Sequence, residues 1–302
     1  MKVAKRNILT NTHGPMSKPQ ITVSSGEVFE VQAELNTGEW LFDKTDRWTQ
    51  DKMYGCNPSV VVSVDSAEPG DILKVHILAV EPDVLGYTGF TAHTNPIAHL
   101  IKNIDWGLNE RTVEIRDGFI HWDEKRKIPV SPMIGTFGTA PKDETLSNAK
   151  GGLHGGNMDV QEVRAGSIVY LPVSVPGALL HVGDCHAIQG DGEINCAGGI
   201  ECRATVRLKV DVLKGKKSLS CVRIEDENYI MTVACQRSIE ESFYEASAGI
   251  LEWMTESYGF SDKDGYLLMG LVMEARATQF VNPTRTYICK MPKVHLKREG
   301  GN

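Results

Sequence analysis

The length and composition of the chain are those of an ordinary globular protein. With 302 residues it is about twice as long as a typical domain, which favours two domains or one large β-rich domain. Hydrophobic residues make up 41% of the chain and charged residues 24%, a balance that excludes long disordered regions. The net charge of -7 gives no broad attraction for nucleic acids or anionic membranes, so we expect neither as a partner.

The amino-terminal residues and the cysteines predict a cytoplasmic protein. No apolar run follows the early Lys and Arg residues, and no stretch of about 18 apolar residues occurs anywhere, so we expect neither a signal peptide nor a membrane span. Seven cysteines without C-x-x-C pairs suit reduced thiols better than a disulfide framework.

Residues 1–213 predict a β-rich body. From position 21 onward the sequence is a succession of short runs that are rich in Val and Ile, and several of them alternate apolar and polar residues. Turns that contain Gly or Pro separate the runs, a pattern typical of a β-sandwich or barrel. The predicted strands include residues 26–32, 59–65, 71–80, 111–115, 167–175 and 201–212.

Residues 214–302 predict an α/β carboxyl-terminal part. Apolar residues at helical spacing predict a helix over 238–258. Ser261 and Asp264 fit a capping box that begins a second helix, and its apolar pattern continues to Ala275. A final extended run covers 286–291, so we expect a helical hairpin that caps the β-rich body.

Glycine, histidine and acidic residues concentrate between residues 151 and 200. This sixth of the chain holds 11 of the 29 glycines, three His, five acids and a single base, Arg164. Two Gly-rich loops, 154–159 and 183–193, flank the predicted strand 167–175 and could meet in the folded chain. The excess of acids over bases predicts a cation-binding site.

The spacing of two residues in the second loop suits metal ligation. Asp184 and His186 alternate, which places both side chains on one face of an extended backbone. Carboxylate and imidazole are usual ligands of zinc and iron, and a catalytic zinc needs three protein ligands and an open position. Asp159 or His154 could be the third ligand, and Glu193 could be a general base or a further ligand. An EF-hand calcium loop is disfavoured because the alternating oxygen ligands are missing.

The same segment has simpler interpretations. A Gly-Asp-Gly-Glu stretch is typical of a solvated hairpin turn. His181 follows an apolar run and is expected to be a packed, hydrogen-bonded strand residue. Cys185 is expected to face away from its two neighbours because strand side chains alternate.

Other histidines lack a ligand pattern. His121 and Asp123 have ligand spacing, but a charged run follows them and a solvated pair is expected. His76, His93 and His99 have no acidic or cysteine neighbours at ligand spacing, so we expect structural or surface roles.

With these two loops in view, the sequence resembles the acetamidase/formamidase family of small-amide hydrolases. The resemblance implies a β-sandwich and barrel body with an α/β carboxyl-terminal part, and cleavage of short amides to acid and ammonia. Residues 86–127 look less typical of the family, and a cysteine at position 185 is not a reliable family feature. The matching stretches are residues 68–75, 132–141, 154–159, 171–178, 183–193 and 258–266.

Our leading hypothesis is hydrolysis of a short amide by a metal-activated water. We expect a divalent metal, zinc in the first place with iron or calcium left open, and Glu193 as the general base. Hydrogen bonds to the developing oxyanion are expected from His154, Asn157 and the backbone amides of Gly155 and Gly156. The expected metal ligands are Asp159, Asp184 and His186.

Two alternatives use the same residues. One is a cupin-like iron enzyme with a 2-His-1-carboxylate site and an oxygen-dependent reaction. The other is a non-catalytic β-rich binding module whose acidic loops hold a structural ion. The apolar carboxyl-terminal helices further predict a homodimer or a higher homo-oligomer.

Overall fold

The computed structural model describes residues 1–52, 57–91, 97, 100 and 108–297 of the chain. Within them the protein is mainly β, with two α-helices near the carboxyl terminus, which confirms the predicted fold class. The strands are β1 (Lys2–Ala4), β2 (Thr12–His13), β3 (Ile21–Val23), β4 (Val28–Ala33), β5 (Ser59–Val64), β6 (Ile72–Phe90), β7 (Asn109–Arg116), β8 (Phe119–His121), β9 (Lys127–Pro129), β10 (Met133–Gly138), β11 (Leu146–Ser147), β12 (Gly151–Gly152), β13 (Gly155–Gly156), β14 (Ile168–Pro172), β15 (Leu180–Ile188), β16 (Ala197–Leu213), β17 (Val222–Glu225), β18 (Tyr229–Gln236), β19 (Glu274–Gln279) and β20 (Arg285–Pro292), and the helices are α1 (Ile239–Tyr258) and α2 (Asp262–Val272).

Sixteen of these strands form one mixed sheet. Its main path runs β19-β20-β18-β17-β14-β6-β16-β15-β5-β3, and the remaining members pair at its sides. β1 with β4 and β3 with β5 are parallel pairs. Two small sheets, β2 with β11 and β12 with β13, lie outside it. The described strands form no closed barrel.

Two strands are longer than the sequence predicts. The predicted strands end at 80 and begin at 201, whereas β6 reaches Phe90 and β16 begins at Ala197. The extension follows from their mutual pairing, which runs from the Ile72 and Leu213 pair to the Gly89 and Ala197 pair. Register shifts along the pair mark β-bulges, which bend both strands.

The main core is built from alternating aliphatic residues. In β4, Phe29, Val31 and Ala33 are fully buried, while the residues between them are partly exposed. The strand period of two therefore sends one set of side chains inward. Burial of this apolar surface, at about 25 cal/mol per Å², is the main stabilising contribution.

The two helices begin where the sequence predicts, and each has a serine cap. Ser238 caps α1 and forms a complete capping box with Glu241. Ser261 caps α2 and accepts a hydrogen bond from the Asp264 backbone. The expected continuation of α2 to Ala275 is wrong, because the helix ends at Val272 and Ala275 pairs in β19 with β20. No helix in the described ranges is long and apolar enough to cross a membrane.

The carboxyl-terminal part shares the sheet of the β-rich body. α1 packs on β18 and β20 through a buried apolar cluster that includes Ile250, Met254 and Ile230. The sheet itself crosses the predicted boundary between residues 213 and 214, because β14 pairs with β6 on one side and β17 on the other. The division into two domains stays a prediction.

Candidate metal centre

β15 carries two of the predicted metal ligands. This strand pairs with β10 on one side and β16 on the other, so its middle residues are deeply buried. The Nε2 atom of His186 lies 3.5 Å from Oδ1 of Asp184, so both side chains point to the same place, as their alternate spacing predicts. Asp184 has a φ of 56°, a left-handed conformation that is uncommon for residues other than glycine.

Three further acidic residues meet this pair. Asp159 follows β13, Glu193 lies in the turn after β15, and Glu201 is the register partner of His186 on β16. Oε2 of Glu201 lies 3.1 Å from Nε2 of His186. We call Asp159, Asp184, His186, Glu193 and Glu201 the buried acidic cluster, since none of them exposes more than 6% of its surface.

Ligand atoms of the buried acidic cluster converge, and several of them make no hydrogen bond. Asp159, His186 and Glu193 offer ligand atoms within 4.8 Å of one another, and so do Asp184, His186 and Glu201. Four of the cluster's polar atoms have no hydrogen-bond partner: Asp159 Oδ1, His186 Nε2, Glu193 Oε2 and Glu201 Oε2. Buried polar atoms normally have partners, so carboxylate oxygens left unpaired beside an imidazole nitrogen fit a divalent cation.

Burial and mutual repulsion change the protonation of these groups. Burial, helped by the charge of Asp184, raises the pKa of Asp159 to about 7. Burial and the neighbouring carboxylates raise the pKa of Glu193 well above its usual range and that of Glu201 to about 8. Burial alone would lower the pKa of His186, but Glu201 and Asp184 outweigh it and raise that pKa. Without a cation these crowded carboxyl groups hold their protons more tightly than usual, and a bound cation would favour their ionised, ligating forms.

Side-chain amides orient two of the carboxylates. Nδ2 of Asn57 donates to Oδ2 of Asp184 at 3.0 Å. Nδ2 of Asn282 donates to Oδ2 of Asp159 in a short hydrogen bond. Each amide satisfies one oxygen of its carboxylate, and Oδ1 of Asp159 is left without a partner.

Glycine makes room for the acidic side chains at two positions. A Cβ atom on Gly135 would lie 2.6 Å from Oδ2 of Asp184 and would also collide with Oδ1 of Asp159. A Cβ atom on Gly198 would overlap the carboxylate of Glu193. Only glycine therefore fits at these positions with the cluster as it stands.

The structure links Asn157 to the buried acidic cluster. The hydroxyl of Thr136 donates to Oδ1 of Asn157 at 2.7 Å and lies 3.3 Å from Oδ2 of Asp184. Gly155 and Gly156 form β13, pair with β12, and approach β10 closely at Gly138. Both glycines have positive φ angles, which suits this tight hairpin.

His154 has different neighbours from the other predicted site residues. Its ring centroid lies 5.0 Å from that of His13, whose ring in turn stacks on His181 at 4.0 Å. All three are buried. The groups of described residues that could share a metal ion do not include His154. We call His13, His154 and His181 the histidine stack.

The structure also shows the surroundings of the residues for which the sequence predicts structural roles. His181 is fully buried and its Nδ1 lies 2.9 Å from the Ser59 hydroxyl, which confirms the expected packed, hydrogen-bonded role. Cys185 belongs to the apolar core, and burial raises the pKa of its thiol, which disfavours a thiolate nucleophile. His76 lies 3.1 Å from Asp211 and is partly exposed.

The second histidine and acid pair does not form a joint site. Asp123 forms an ion pair with Arg126, while Nδ1 of His121 lies 3.4 Å from Arg116. His93 and His99 lie outside the described residues.

Sequence reasoning missed several residues of the centre. Glu201 lies in a run that the sequence marks only as a strand, and its meeting with His186 depends on the register between β15 and β16. The one local signal that Glu201 could belong to a site is its charge, since its neighbours Ile200 and Cys202 are apolar. The amides that orient the cluster, Asn57 and Asn282, come from distant parts of the chain and carry no local signal.

Comparison with known proteins identifies the family of the chain that carries this carboxylate and imidazole centre. The model of the acetamidase/formamidase family matches residues 148–293, which include the whole buried acidic cluster. A recombinant predicted acetamidase/formamidase from Thermoanaerobacter tengcongensis has a similar structure, with a TM-score of 0.90 and 30% identity over 98% of this chain and 96% of that one. The acetamidase of Yersinia enterocolitica has a TM-score of 0.89 and 28% identity, covering 98% of this chain and 93% of that chain. The chain belongs to the acetamidase/formamidase family.

A curated relative is similar over a shorter stretch. The acetamidase of Mycolicibacterium smegmatis is 29% identical over an alignment of length 213 that covers 51% of this chain and 52% of that protein. The chain therefore spans about half the length of this curated relative. The resemblance inferred from the two Gly-rich loops is confirmed.

Proposed function

We propose that the protein hydrolyses a short aliphatic amide, of the formamide or acetamide type, to the carboxylic acid and ammonia. The observation that carries this proposal is the buried acidic cluster with its four unpartnered ligand atoms, in a member of a family whose named relatives are acetamidases. This function makes the protein an amidohydrolase that acts on linear carbon–nitrogen bonds.

The residues of the cluster fit a divalent metal ion. Asp184, His186 and Glu201 form one group that could hold it, and Asp159 lies beside them. One imidazole nitrogen and several carboxylate oxygens suit zinc, with iron as a further possibility that metal analysis decides. When bound, the ion would supply Lewis acidity and lower the pKa of a bound water toward 7.

Glu193 is the general base in this proposal. It belongs to the same cluster, and its Oε2 has no hydrogen-bond partner. Burial raises its pKa, and the charge of a bound cation would keep it ionised and able to accept a proton. Glu193 accepts a proton from the attacking water and passes it to the departing nitrogen, which leaves as ammonia. Its position against Gly198 and the hydrogen bond from its own backbone N–H to the Gly190 carbonyl hold it in the turn.

Asn157 is the proposed oxyanion donor. The hydroxyl of Thr136 donates a hydrogen bond to the amide oxygen of Asn157. That bond turns the side chain so that its NH₂ group is the end available to a substrate carbonyl oxygen. Gly155 and Gly156 shape the adjoining hairpin and bind substrate through their backbone. His154 packs in the histidine stack, and we assign it no proton transfer.

Metal removal and one conservative substitution test this function. We expect wild-type protein to release ammonia from formamide or acetamide, and to lose that activity in a chelator and recover it with zinc. Glu193→Gln should still bind the ion, because the other ligands remain, but should lose roughly 10²- to 10⁴-fold in rate. Ammonia release and metal content are measured on the same preparations.

Two outcomes would contradict this proposal. Full activity in metal-free protein would exclude the metal role, and a wild-type rate in Glu193→Gln would exclude the base. Oxygen uptake without ammonia release would instead support the iron-dependent alternative.

We also propose that the protein is a cytoplasmic homo-oligomer. The six cysteines among the described residues are free thiols, which suits a reducing compartment. α2 exposes Tyr266, Leu267 and Leu271, which could pack against a second copy. Thiol titration of freshly isolated protein tests the compartment, since oxidised cysteines would contradict it.

A further inference from the structure

Gln189 lies directly behind the imidazole of His186. It follows the β-bulge at the end of β15 and is 6% exposed. Its Nε2 donates to the backbone carbonyl of Asp159 at 2.9 Å and to that of Thr278 at 3.2 Å. Its Oε1 lies 2.9 Å from Nδ1 of His186. One amide thus touches three segments of the centre.

The hydrogen-bond inventory fixes the direction of this amide. Backbone carbonyls accept hydrogen bonds and cannot donate them, so both need the NH₂ end of Gln189. A flipped amide would set its oxygen against two carbonyl oxygens and bury two acceptors without donors. The oxygen of Gln189 therefore faces His186.

The direction of the amide in turn fixes the proton of the imidazole. An amide oxygen can only accept, so Nδ1 of His186 must carry the hydrogen. A histidine that ligates a metal ion must be neutral, and in that form the lone pair of His186 is on Nε2, which lies 3.1 Å from Oε2 of Glu201. Nε2 is then the nitrogen that can ligate a metal ion.

We propose that Gln189 is a positioning residue that holds His186 as the Nδ1–H tautomer and leaves Nε2 to ligate a metal ion together with Asp184 and Glu201. This inference rests on the proposed metal-dependent function. It explains why an uncharged glutamine is buried beside four carboxylates, since its oxygen serves the imidazole and its NH₂ group serves the Asp159 and Thr278 carbonyls.

Measurement of zinc affinity distinguishes a positioning role of Gln189 from a role in packing alone. Gln189→Met keeps the length of the side chain but removes the acceptor, and should weaken zinc binding roughly 10- to 100-fold. Gln189→Glu also loses the NH₂ donor to the Asp159 and Thr278 carbonyls but keeps an acceptor at Nδ1, so it should recover the part of the loss that is due to the acceptor. The matched control is Gln236→Met, which should bind zinc as the wild type does. Gln236 is a partly buried glutamine at the end of β18, and its side chain donates a hydrogen bond to Glu245. Competition with a chelator of known affinity gives each dissociation constant.

Nitrogen NMR of the wild type tests the tautomer without any variant. In zinc-loaded protein we expect His186 to show a protonated Nδ1 and a metal-bound Nε2. A metal-bound Nδ1, or equal zinc affinity in Gln189→Met and wild type, would overturn the inference. Wild-type protein that binds no zinc would overturn the proposed function as well, so the two failures are distinguishable. If Gln189→Met does not fold, Gln189→Glu and the wild-type spectrum still decide.

Discussion

At the scale of single residues, the absence of a side chain at Gly135 is as important as the ligands. A Cβ atom on this glycine would collide with carboxylate oxygens of both Asp159 and Asp184. Gly135→Ala would push both carboxylates apart, so we expect loss of bound metal and of ammonia release. Metal analysis and thermal unfolding of the variant check this prediction.

A second glycine provides the control for that experiment. Gly270 in α2 has open space at its Cβ position, so Gly270→Ala should leave metal binding unchanged and stabilise the helix by up to about 1 kcal/mol. Metal affinity at the wild-type level in Gly135→Ala would show that the carboxylates can shift without loss.

Residues that signal through local spacing could be predicted, and residues that depend on register could not. The alternation of Asp184 and His186 predicts their meeting on one face of β15 because strand geometry has a period of two. Glu201 meets them only through the register with β16, which a β-bulge between His186 and Ile188 shifts. No pattern within one segment carries that information.

At the scale of elements, the histidine stack joins β2, β15 and the loop between β12 and β13. Burial lowers the pKa of His154 from 6.5 to about 4 and that of His181 to about 3. The folded protein therefore favours neutral rings, while the unfolded chain takes up protons below pH 6.5. The free energy of unfolding should fall as the pH drops from about 6.5 to about 4, by on the order of 3 kcal/mol for His154.

A variant without the His154 ring separates the contribution of this histidine to the pH dependence of stability from the contribution of the buried carboxylates. His154→Asn removes one titrating ring, so its stability should depend less steeply on pH than that of the wild type in this window. Urea unfolding of both zinc-loaded proteins at several pH values measures the difference. Parallel stability curves for the two proteins would contradict the assignment.

The ends of the helices and strands show which boundaries local sequence patterns can predict. The start of α2 could be predicted from Ser261 because its cap bond is local, and the start of α1 could be predicted from its apolar spacing. The end of α2 is different, since the pairing of β19 with β20 overrides the apolar pattern that continues to Ala275. β6 likewise continues through Pro82 because β16 and β7 pair along it.

At the scale of the whole molecule, α2 presents an apolar face outward. Leu271 is 80% exposed and lies near Tyr266 and Leu267 on the same helix. If this face joins two copies, Leu271→Glu should weaken association at least about tenfold, because a buried charge without a partner is costly. Sedimentation velocity over a range of concentrations measures the change.

An exposed valine on another element is the control. Val84→Glu on β6 changes a side chain that is 64% exposed and should leave the association unchanged. A wild-type protein that stays monomeric at high concentration would contradict the proposed oligomer.

The contact between Asn282 and Asp159 has a consequence for the order in which the centre can form during synthesis. Asn282 and Thr278 come after every member of the buried acidic cluster in the sequence. Even so, Asn282 bonds the carboxylate of Asp159 and the backbone carbonyl of Thr278 accepts a hydrogen bond from Gln189. A ribosome-bound chain that lacks these residues carries all five members of the cluster with its surroundings incomplete. Metal loading is therefore expected to follow synthesis of these residues, and nascent chains that stop before residue 278 should retain zinc poorly.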